Sequence, residues 1–233
     1  LDKVQLTHMY FGGRPVSEYY AGWSTSSDYK CYECGPGATT WTETTGKTLK
    51  QVAESRSWDI ITIQEHTGNA AAWKWNSTAQ ANLQGMINSA KATQTGAMPK
   101  FYYIMSQAYF NMGKIGSGSQ SSITWTDQAG MWGVIAAFGK NVMDNVSFDG
   151  IISTGVMLQN LRTSPLDNDM NLTRDGYHMD NGISRYGAAC TVFETLITPK
   201  FNVTLDGNSY RYTVENTSDS AYSTPVTDAN APV

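Results

Sequence analysis

An aspartate and a histidine stand three positions apart, at Asp175 and His178, in the segment LTRDGYHMDNG. In a tight turn this spacing brings the carboxylate beside the imidazole. The carboxylate can then accept the Nδ1 proton and fix the tautomer, which leaves Nε2 to act as a general base. Gly176 permits a backbone conformation that would strain most residues. The pair is therefore a candidate acid–base site, while a loop in which Asp175 only caps the local backbone would have the same pattern.

The other two histidines stand at His8 and His66. His8 lies inside the first predicted strand, where a locally packed imidazole is the usual case. His66 follows the apolar run ITIQE at a strand end, so it is a second candidate for a functional position. The run DNDMN begins like a calcium loop but lacks the glycine and the acidic residue that an EF-hand requires. No metal and no cofactor is predicted.

Three apolar runs, WDIITIQ, KFYYIM and GIIST, are typical of strands buried on both faces of a parallel sheet. Stretches with helical periodicity follow them, the last being GISRYGAACTVFETLI. This alternation predicts an α/β fold, a three-layer α/β/α sandwich with a mainly parallel central sheet. Ligands bind at the carboxyl edge of such sheets, where His66 is expected.

Residues 1–200 are predicted to form this α/β domain, and residues 201–233 a β-hairpin and tail packed on it. The segment FNVTLDGNSYRYTVE alternates with period two around Asp206-Gly207-Asn208, which favours a hairpin. The opening segment VQLTHMY predicts a further strand of the central sheet. Residues 24–46 are polar and rich in glycine, with some strand character around Trp41.

The charge balance excludes some partners. The chain has 16 Lys and Arg against 20 Asp and Glu, a net charge of −4, which argues against nucleic acid. No apolar run approaches the roughly 20 residues that span a bilayer. No signal peptide is visible at Leu1, and the first residues resemble the interior of a domain, so we expect a segment upstream.

A C-x-x-C motif occurs at Cys31 and Cys34, in a segment rich in Gly and Ser. A zinc half-site would need a second Cys or His pair, and a thioredoxin-like motif would lie between a strand and a helix. The remaining interpretation is that Cys31 and Cys34 lie in a surface loop, either as a short disulfide or as two free thiols. Cys190 is expected to be a small core residue.

The segment LTRDGYHMDNG, followed by an apolar helix rich in small residues, resembles the C-terminal block of the SGNH (GDSL-like) hydrolases. LTHMYFGGRPVSEYY is similar to their second block, and WDIITIQEHTGN to their third. The nearest branch is common in gut bacterial proteins and is described only as a domain of unknown function. The resemblance covers roughly residues 1–200 and implies a flavodoxin-like SGNH fold.

By this resemblance, Asp175 and His178 are the acid and base of a catalytic triad. The backbone N–H of Gly13 is an oxyanion donor. Gln64 stands where many relatives carry the Asn of a G-x-N-D motif, which is absent here, so Gln64 is a weaker second donor. Glu65 or His66 could occupy that role instead, or neither, and His66 is also a candidate for substrate binding together with Trp73 and Trp75.

The nucleophile of SGNH hydrolases is a serine in a G-D-S or G-N-S motif that precedes all of these blocks. The G-N-S of this chain ends at Ser209, after the Asp–His pair and inside the predicted hairpin, which is the wrong place for a strand-to-helix elbow. Ser106 follows a buried strand and is a second weak candidate. We therefore expect the serine upstream of Leu1, or absent altogether in a non-catalytic relative.

Two tryptophans, Trp73 and Trp75, lie on the loop that leaves the third-block strand. They either pack against the domain or stack on sugar rings. The resemblance implies a serine esterase that hydrolyses a small acyl ester, an acetyl group on a carbohydrate, in a secreted, periplasmic or cell-surface bacterial protein. The alternative is a non-catalytic glycan-binding relative. Neither the acyl group nor the oligomeric state follows from the sequence.

Overall fold

A computed structural model describes residues 3–72, 75–110, 125–214 and 222–231 of the chain. The chain divides into two compact units. The first unit comprises Leu1–His66, Trp75–Tyr102 and Asn145–Asp149, and the second comprises Thr67–Lys74, Tyr103–Asp144 and Gly150–Val233.

Strands and helices alternate along the part of the chain that the structure describes. The strands are β1 (Leu6–Tyr10), β2 (Lys30–Cys34), β3 (Thr42–Thr44), β4 (Ile60–Gln64), β5 (Lys100–Ile104) and β6 (Gly150–Ile152). The helices are α1 (Val16–Ala21), α2 (Leu49–Glu54), α3 (Thr67–Ala71), α4 (Ser77–Ala92), α5 (Gln128–Asn145), α6 (Thr154–Arg162), α7 (Ile183–Val192) and α8 (Thr198–Phe201). A π-helical turn, Phe193–Ile197, joins α7 to α8.

The three predicted apolar strands are confirmed as β4, β5 and β6. They form a parallel sheet in the order β4-β5-β6. Phe101, Tyr103 and Ile152 are fully or almost fully buried, so β5 and β6 contribute to the core. The chain is therefore a mixed α/β protein, and this sheet has three strands in the described residues.

The strand β1 is not part of that sheet, which corrects the sequence prediction. It pairs antiparallel with β2, and β2 pairs antiparallel with β3, in a separate sheet of three strands. The reason is its burial pattern, because Leu6, His8 and Tyr10 are exposed and alternate with half-buried Thr7 and Met9. Such alternation belongs to an antiparallel strand with one solvated face rather than to a strand buried on both faces.

The C-x-x-C motif is also placed differently from the prediction. Cys31 and Cys34 are buried residues of β2, not members of a surface loop, and both are free thiols. Side chains three positions apart on a strand point to opposite faces, and their Cα atoms lie about 10 Å apart, too far for a disulfide.

Side-chain caps fix the starts of α2 and α4 in the first unit. Thr48 and Gln51 form a reciprocal capping box at the start of α2. The side chain of Asn76 caps α4 by accepting from the N–H of Ala79 at 2.9 Å. At Gly85, in α4, an added Cβ would lie 2.4 Å from the ring of Tyr20, so a glycine is needed for that ring to approach the helix.

The core of the second unit includes the buried residues Leu158, Leu172 and Ile183, which join α6 to the start of α7. Helix α5 buries Met131, Ile135, Phe138 and Val142. Within the residues described, no helix has the length and apolarity needed to cross a membrane.

The C-terminal hairpin is not formed in the described residues. Phe201 ends helix α8, and residues 203–211 contain a turn with Gly207 at a φ of 76° but no β-ladder. Tyr212 instead makes an isolated antiparallel bridge with Val226. The turn signal at Asp206-Gly207-Asn208 was therefore correct, whereas the flanking alternation does not pair across it.

Two glycine positions test the packing of the second unit. A Cβ at Gly155 would lie 2.2 Å from the backbone oxygen of Ser106, so Gly155→Ala should destabilise the protein by about 1–3 kcal/mol. A Cβ at Gly133, in α5, meets nothing within 4 Å, so Gly133→Ala should stabilise by about 0.5–1 kcal/mol. Urea unfolding of both variants measures the difference. Equal midpoints would contradict the close approach at Gly155.

Candidate acid–base site

The segment that holds Asp175 and His178 is a tight turn closed at its base. Thr173 and Met179 form an antiparallel bridge, and the N–H of Arg174 donates to the oxygen of His178 at 3.0 Å. Gly176 has a φ of 89°, which favours glycine, and its N–H donates to Thr173 Oγ1. The local sequence is therefore sufficient to return the chain on itself here.

Inside this turn the carboxylate and the imidazole are in contact. Asp175 Oδ2 lies 2.5 Å from His178 Nδ1. Asp175 Oδ1 accepts the backbone N–H groups of Tyr177 at 2.9 Å and His178 at 2.8 Å. Both carboxylate oxygens are therefore engaged, one with the backbone that forms the turn and the other with the ring.

These contacts set the charge of Asp175. Partial burial alone would raise its pKa, but hydrogen bonds from the His178 backbone and ring and from the Tyr177 backbone outweigh burial and lower the pKa to about 2. The side chain of His178 is 62% exposed, which leaves Nε2 accessible to a reactant. An ionised carboxylate that holds Nδ1 is the arrangement that orients a general base.

The loop after β5 holds the turn from the other side. The N–H of Phe110 donates to the oxygen of Gly176 at 2.8 Å, and Gln107 Nε2 donates to the oxygen of Tyr177 at 3.0 Å. The ring of Tyr109 packs edge-on against that of Tyr177, with centroids 4.9 Å apart. Burial raises the pKa of Tyr109 to about 12, so its hydroxyl is neutral.

Sequence reasoning did not identify Gln107 or Tyr109. The one available signal was their position directly after a buried strand, which had drawn attention to Ser106. That serine is 1% exposed, so its hydroxyl is not presented to solvent. The described residues 105–110 of this loop support the turn, and Ser106, the one serine among them, is not accessible.

A second carboxylate fixes the chain after the turn. Asp180 is fully buried, and its Oδ1 accepts the N–H groups of Gly182 at 2.8 Å and Ser184 at 3.1 Å. Burial raises the pKa of Asp180 despite these bonds. The Asp180 side chain therefore binds the backbone between the turn and the first residues of α7.

Gly13 lies in the first unit, in the turn after β1. Its φ of 72° is one that favours glycine. The hydroxyl of Tyr19 both accepts from the N–H and donates to the oxygen of Phe11, and the Arg14 guanidinium lies 3.7 Å from the centre of the Phe11 ring. The backbone around Gly13 is therefore held in place on both sides.

The end of β4 lies beside this turn in the same unit. Glu65 is buried, and its Oε1 accepts the N–H of Val16 at 3.2 Å and that of His66 at 2.7 Å. Gln64, the last residue of β4, is exposed, and His66 is half-buried. The structure thus brings the strand end that carries Gln64 and His66 close to the segment after Gly13.

The remaining candidates have other settings. Trp73 lies outside the described residues, while Trp75 is half-buried just before α4. Asn208 donates through Nδ2 to the hydroxyl of Tyr186 and accepts through Oδ1 from the N–H of Tyr210, so the G-N-S segment is a structural turn. Ser209 therefore does not lie on a strand-to-helix elbow.

No group of three His, Cys, Asp or Glu in the described residues is placed to hold a metal ion.

Comparison with known proteins identifies the family. A family model for a domain of unknown function, DUF4886, matches residues 2–228. The chain belongs to the DUF4886 family. A crystal structure of another DUF4886 protein, from Bacteroides uniformis ATCC 8492 at 1.50 Å resolution, is similar to this chain with a TM-score of 0.75 and 24% identity. The match covers 91% of this chain and 76% of that one.

This similarity shows that the DUF4886 fold is shared between the two proteins. No curated protein matches the chain. Membership in a family whose domain has no known function is therefore confirmed, whereas the likeness to SGNH hydrolases stays a prediction.

The Asp175 carboxyl should titrate well below the ordinary value of 3.8, with a midpoint near 2. Because the folded-state pKa is lowered, this carboxylate stabilises the fold at neutral pH, and that contribution is lost as pH falls below about 4 and through 2. Carboxyl-detected NMR against pH measures the midpoint. In His178→Ala the midpoint should rise only in part, because both backbone N–H donors remain. A wild-type midpoint at or above 3.8 would contradict the geometry.

Proposed function

We propose that this DUF4886 chain is a serine esterase of SGNH type that hydrolyses a small acyl ester, an acetyl group on a carbohydrate. The observation that carries the proposal is the contact of Asp175 with His178, in which one carboxylate oxygen holds Nδ1 and the other holds the turn. The order and spacing of the sequence blocks that resemble SGNH hydrolases support it.

The chemistry follows from the state of these two side chains. Asp175 stays ionised at neutral pH because its pKa is about 2. It therefore keeps the Nδ1 proton on the ring and leaves Nε2 as the basic nitrogen. His178 takes the proton of a serine hydroxyl as that oxygen attacks the ester carbonyl, and returns it to the leaving alcohol. Water then repeats the sequence on the acyl-enzyme and releases the acid.

The negative charge of the tetrahedral intermediate needs fixed donors. In the proposal the N–H of Gly13 is one donor, because its turn is held by Tyr19 and Arg14 before any substrate binds. Gln64 is the second candidate, an exposed amide at the end of β4. Donors that are already oriented require no reorganisation during the reaction.

The fold is part of the same proposal. We propose a three-layer α/β/α arrangement of SGNH type, and the parallel sheet of β4, β5 and β6 supports it. In the block order of those hydrolases, the nucleophilic serine precedes the segment that forms β1. A secreted, periplasmic or cell-surface location fits a carbohydrate ester as substrate.

The test is hydrolysis of p-nitrophenyl acetate by the full-length protein. We expect His178→Ala and Asp175→Asn each to lower kcat by about 10²–10⁴, the typical contribution of a positioned general base. Asparagine at position 175 still accepts the two backbone N–H groups, so the turn is kept while the charge is removed.

Asp169→Asn is the matched control, because it removes an exposed carboxylate from the same region of the chain. Its rate should equal that of the wild type. Equal rates in all four proteins would refute a catalytic role for the pair. A folded wild-type protein without turnover would favour the non-catalytic glycan-binding alternative.

A further inference from the structure

One face of the antiparallel sheet β1-β2-β3 carries aromatic side chains in the first unit. His8 lies directly opposite Tyr32, and Tyr10 lies opposite Lys30, so these four side chains share a face. The ring of His8 is nearly parallel to those of Tyr10 and Tyr32, at centroid distances of 5.8 and 6.3 Å. This face is the solvated one that the alternation of β1 leaves exposed.

A shallow cavity of about 250 Å³, largely open to solvent, lies on this face and is lined by His8, Tyr32 and Trp41. Trp41 is 51% exposed and Tyr10 is 46% exposed. Trp is usually one of the more buried residue types, and clustered exposed aromatic surface in a soluble protein marks a binding site more often than isolated exposed residues do. The cavity therefore has the apolar wall that a ligand ring requires.

Charged side chains lie beside Tyr32 on the same face of the sheet, and we call this group the rim. Lys30 Nζ lies 3.0 Å from Glu43 Oε1, and Glu43 stands opposite Tyr32 on the neighbouring strand. The hydroxyl of Tyr32 interacts with both charged groups. Lysine supplies donors, the carboxylate supplies acceptors and the phenol supplies both. The rim can therefore bind several hydroxyl groups while its two charges cancel.

His8 adds a ring without adding charge. It keeps part of its surface in solvent, and the neighbouring groups that bury the rest lower the pKa of its imidazole. A neutral imidazole has one donor and one acceptor nitrogen. With Lys30 and Glu43 paired, the cavity has no net charge.

We propose that the cavity of His8, Tyr32 and Trp41 is a binding site for one ring of a neutral sugar. The apolar face of a pyranose packs on an aromatic ring, and its hydroxyls bind to the Lys30, Glu43 and Tyr32 groups at the rim. A quaternary ammonium ion fits less well, because the nearly parallel rings of His8, Tyr10 and Tyr32 do not enclose a sphere. An anionic ligand has no unpaired cation to bind within this group.

This site needs no catalytic group and goes beyond the proposed esterase activity. It would hold a glycan on the first unit whether or not the chain hydrolyses esters. Because binding is measured without turnover, its result is independent of the p-nitrophenyl acetate assay.

The experiment uses isothermal titration calorimetry on the full chain with three neutral probes at millimolar concentration: cellohexaose, xylohexaose and mannohexaose. We expect saturable binding of at least one. Trp41→Ala should weaken that binding about tenfold or more, and Trp41→Phe should restore most of it, because a ring is kept. Tyr222→Ala is the control, since Tyr222 is also 51% exposed but lies in the second unit, and it should bind like the wild type.

Trp41→Phe distinguishes loss of the ring contact from loss of the fold, because it keeps an aromatic ring at the same position. Circular dichroism of each variant checks the fold directly. The proposal is overturned if none of the three hexasaccharides binds saturably, or if folded Trp41→Ala binds as well as the wild type. Trp41-dependent binding of choline, or Trp41-dependent self-association in sedimentation experiments, would also overturn it by assigning the cavity another occupant.

Discussion

The carboxylate of Asp175 is the group on which the candidate site depends. One oxygen accepts two consecutive backbone N–H groups and so shapes the turn, while the other holds the ring of His178. The Asp175 side chain therefore both stabilises the turn and contacts the candidate base. The hydrogen bonds that shape the turn also keep the carboxylate ionised, and an ionised carboxylate is what an imidazole base needs beside it.

The second unit supports this turn from two directions. Gln107 and Phe110 donate to the backbone oxygens of Tyr177 and Gly176, and the buried Asp180 fixes the start of α7. An exposed histidine would otherwise sample many orientations. These fixed neighbours restrict the backbone of the turn and thereby the orientations open to His178.

In the first unit, too, side chains fix the backbone of loops through hydrogen bonds. Buried Glu65 ties the end of β4 to the start of α1, and Tyr19 clamps the backbone of Phe11. The antiparallel sheet of the same unit leaves an aromatic face with a small cavity exposed.

Local patterns in the sequence determined the parts of this protein that depend on neighbouring residues. The apolar runs of β4 to β6 and the Asp175–His178 turn were both predictable, because each rests on interactions over a few positions. The partner strand of β1 was not, because VQLTHMY shows only that the strand alternates. The sequence likewise did not show that the alternating segments beside Gly207 remain unpaired.

Tertiary structure alone decided the contacts between residues far apart in the chain. Gln107 binds the oxygen of Tyr177 across 70 positions, and His8 stands opposite Tyr32 across an antiparallel pair. Neither contact leaves a periodic or local signal, because each depends on how separate elements pack. The sequence by itself therefore determined the candidate acid–base pair, and the fold decided what holds that pair in place and where an aromatic cavity forms.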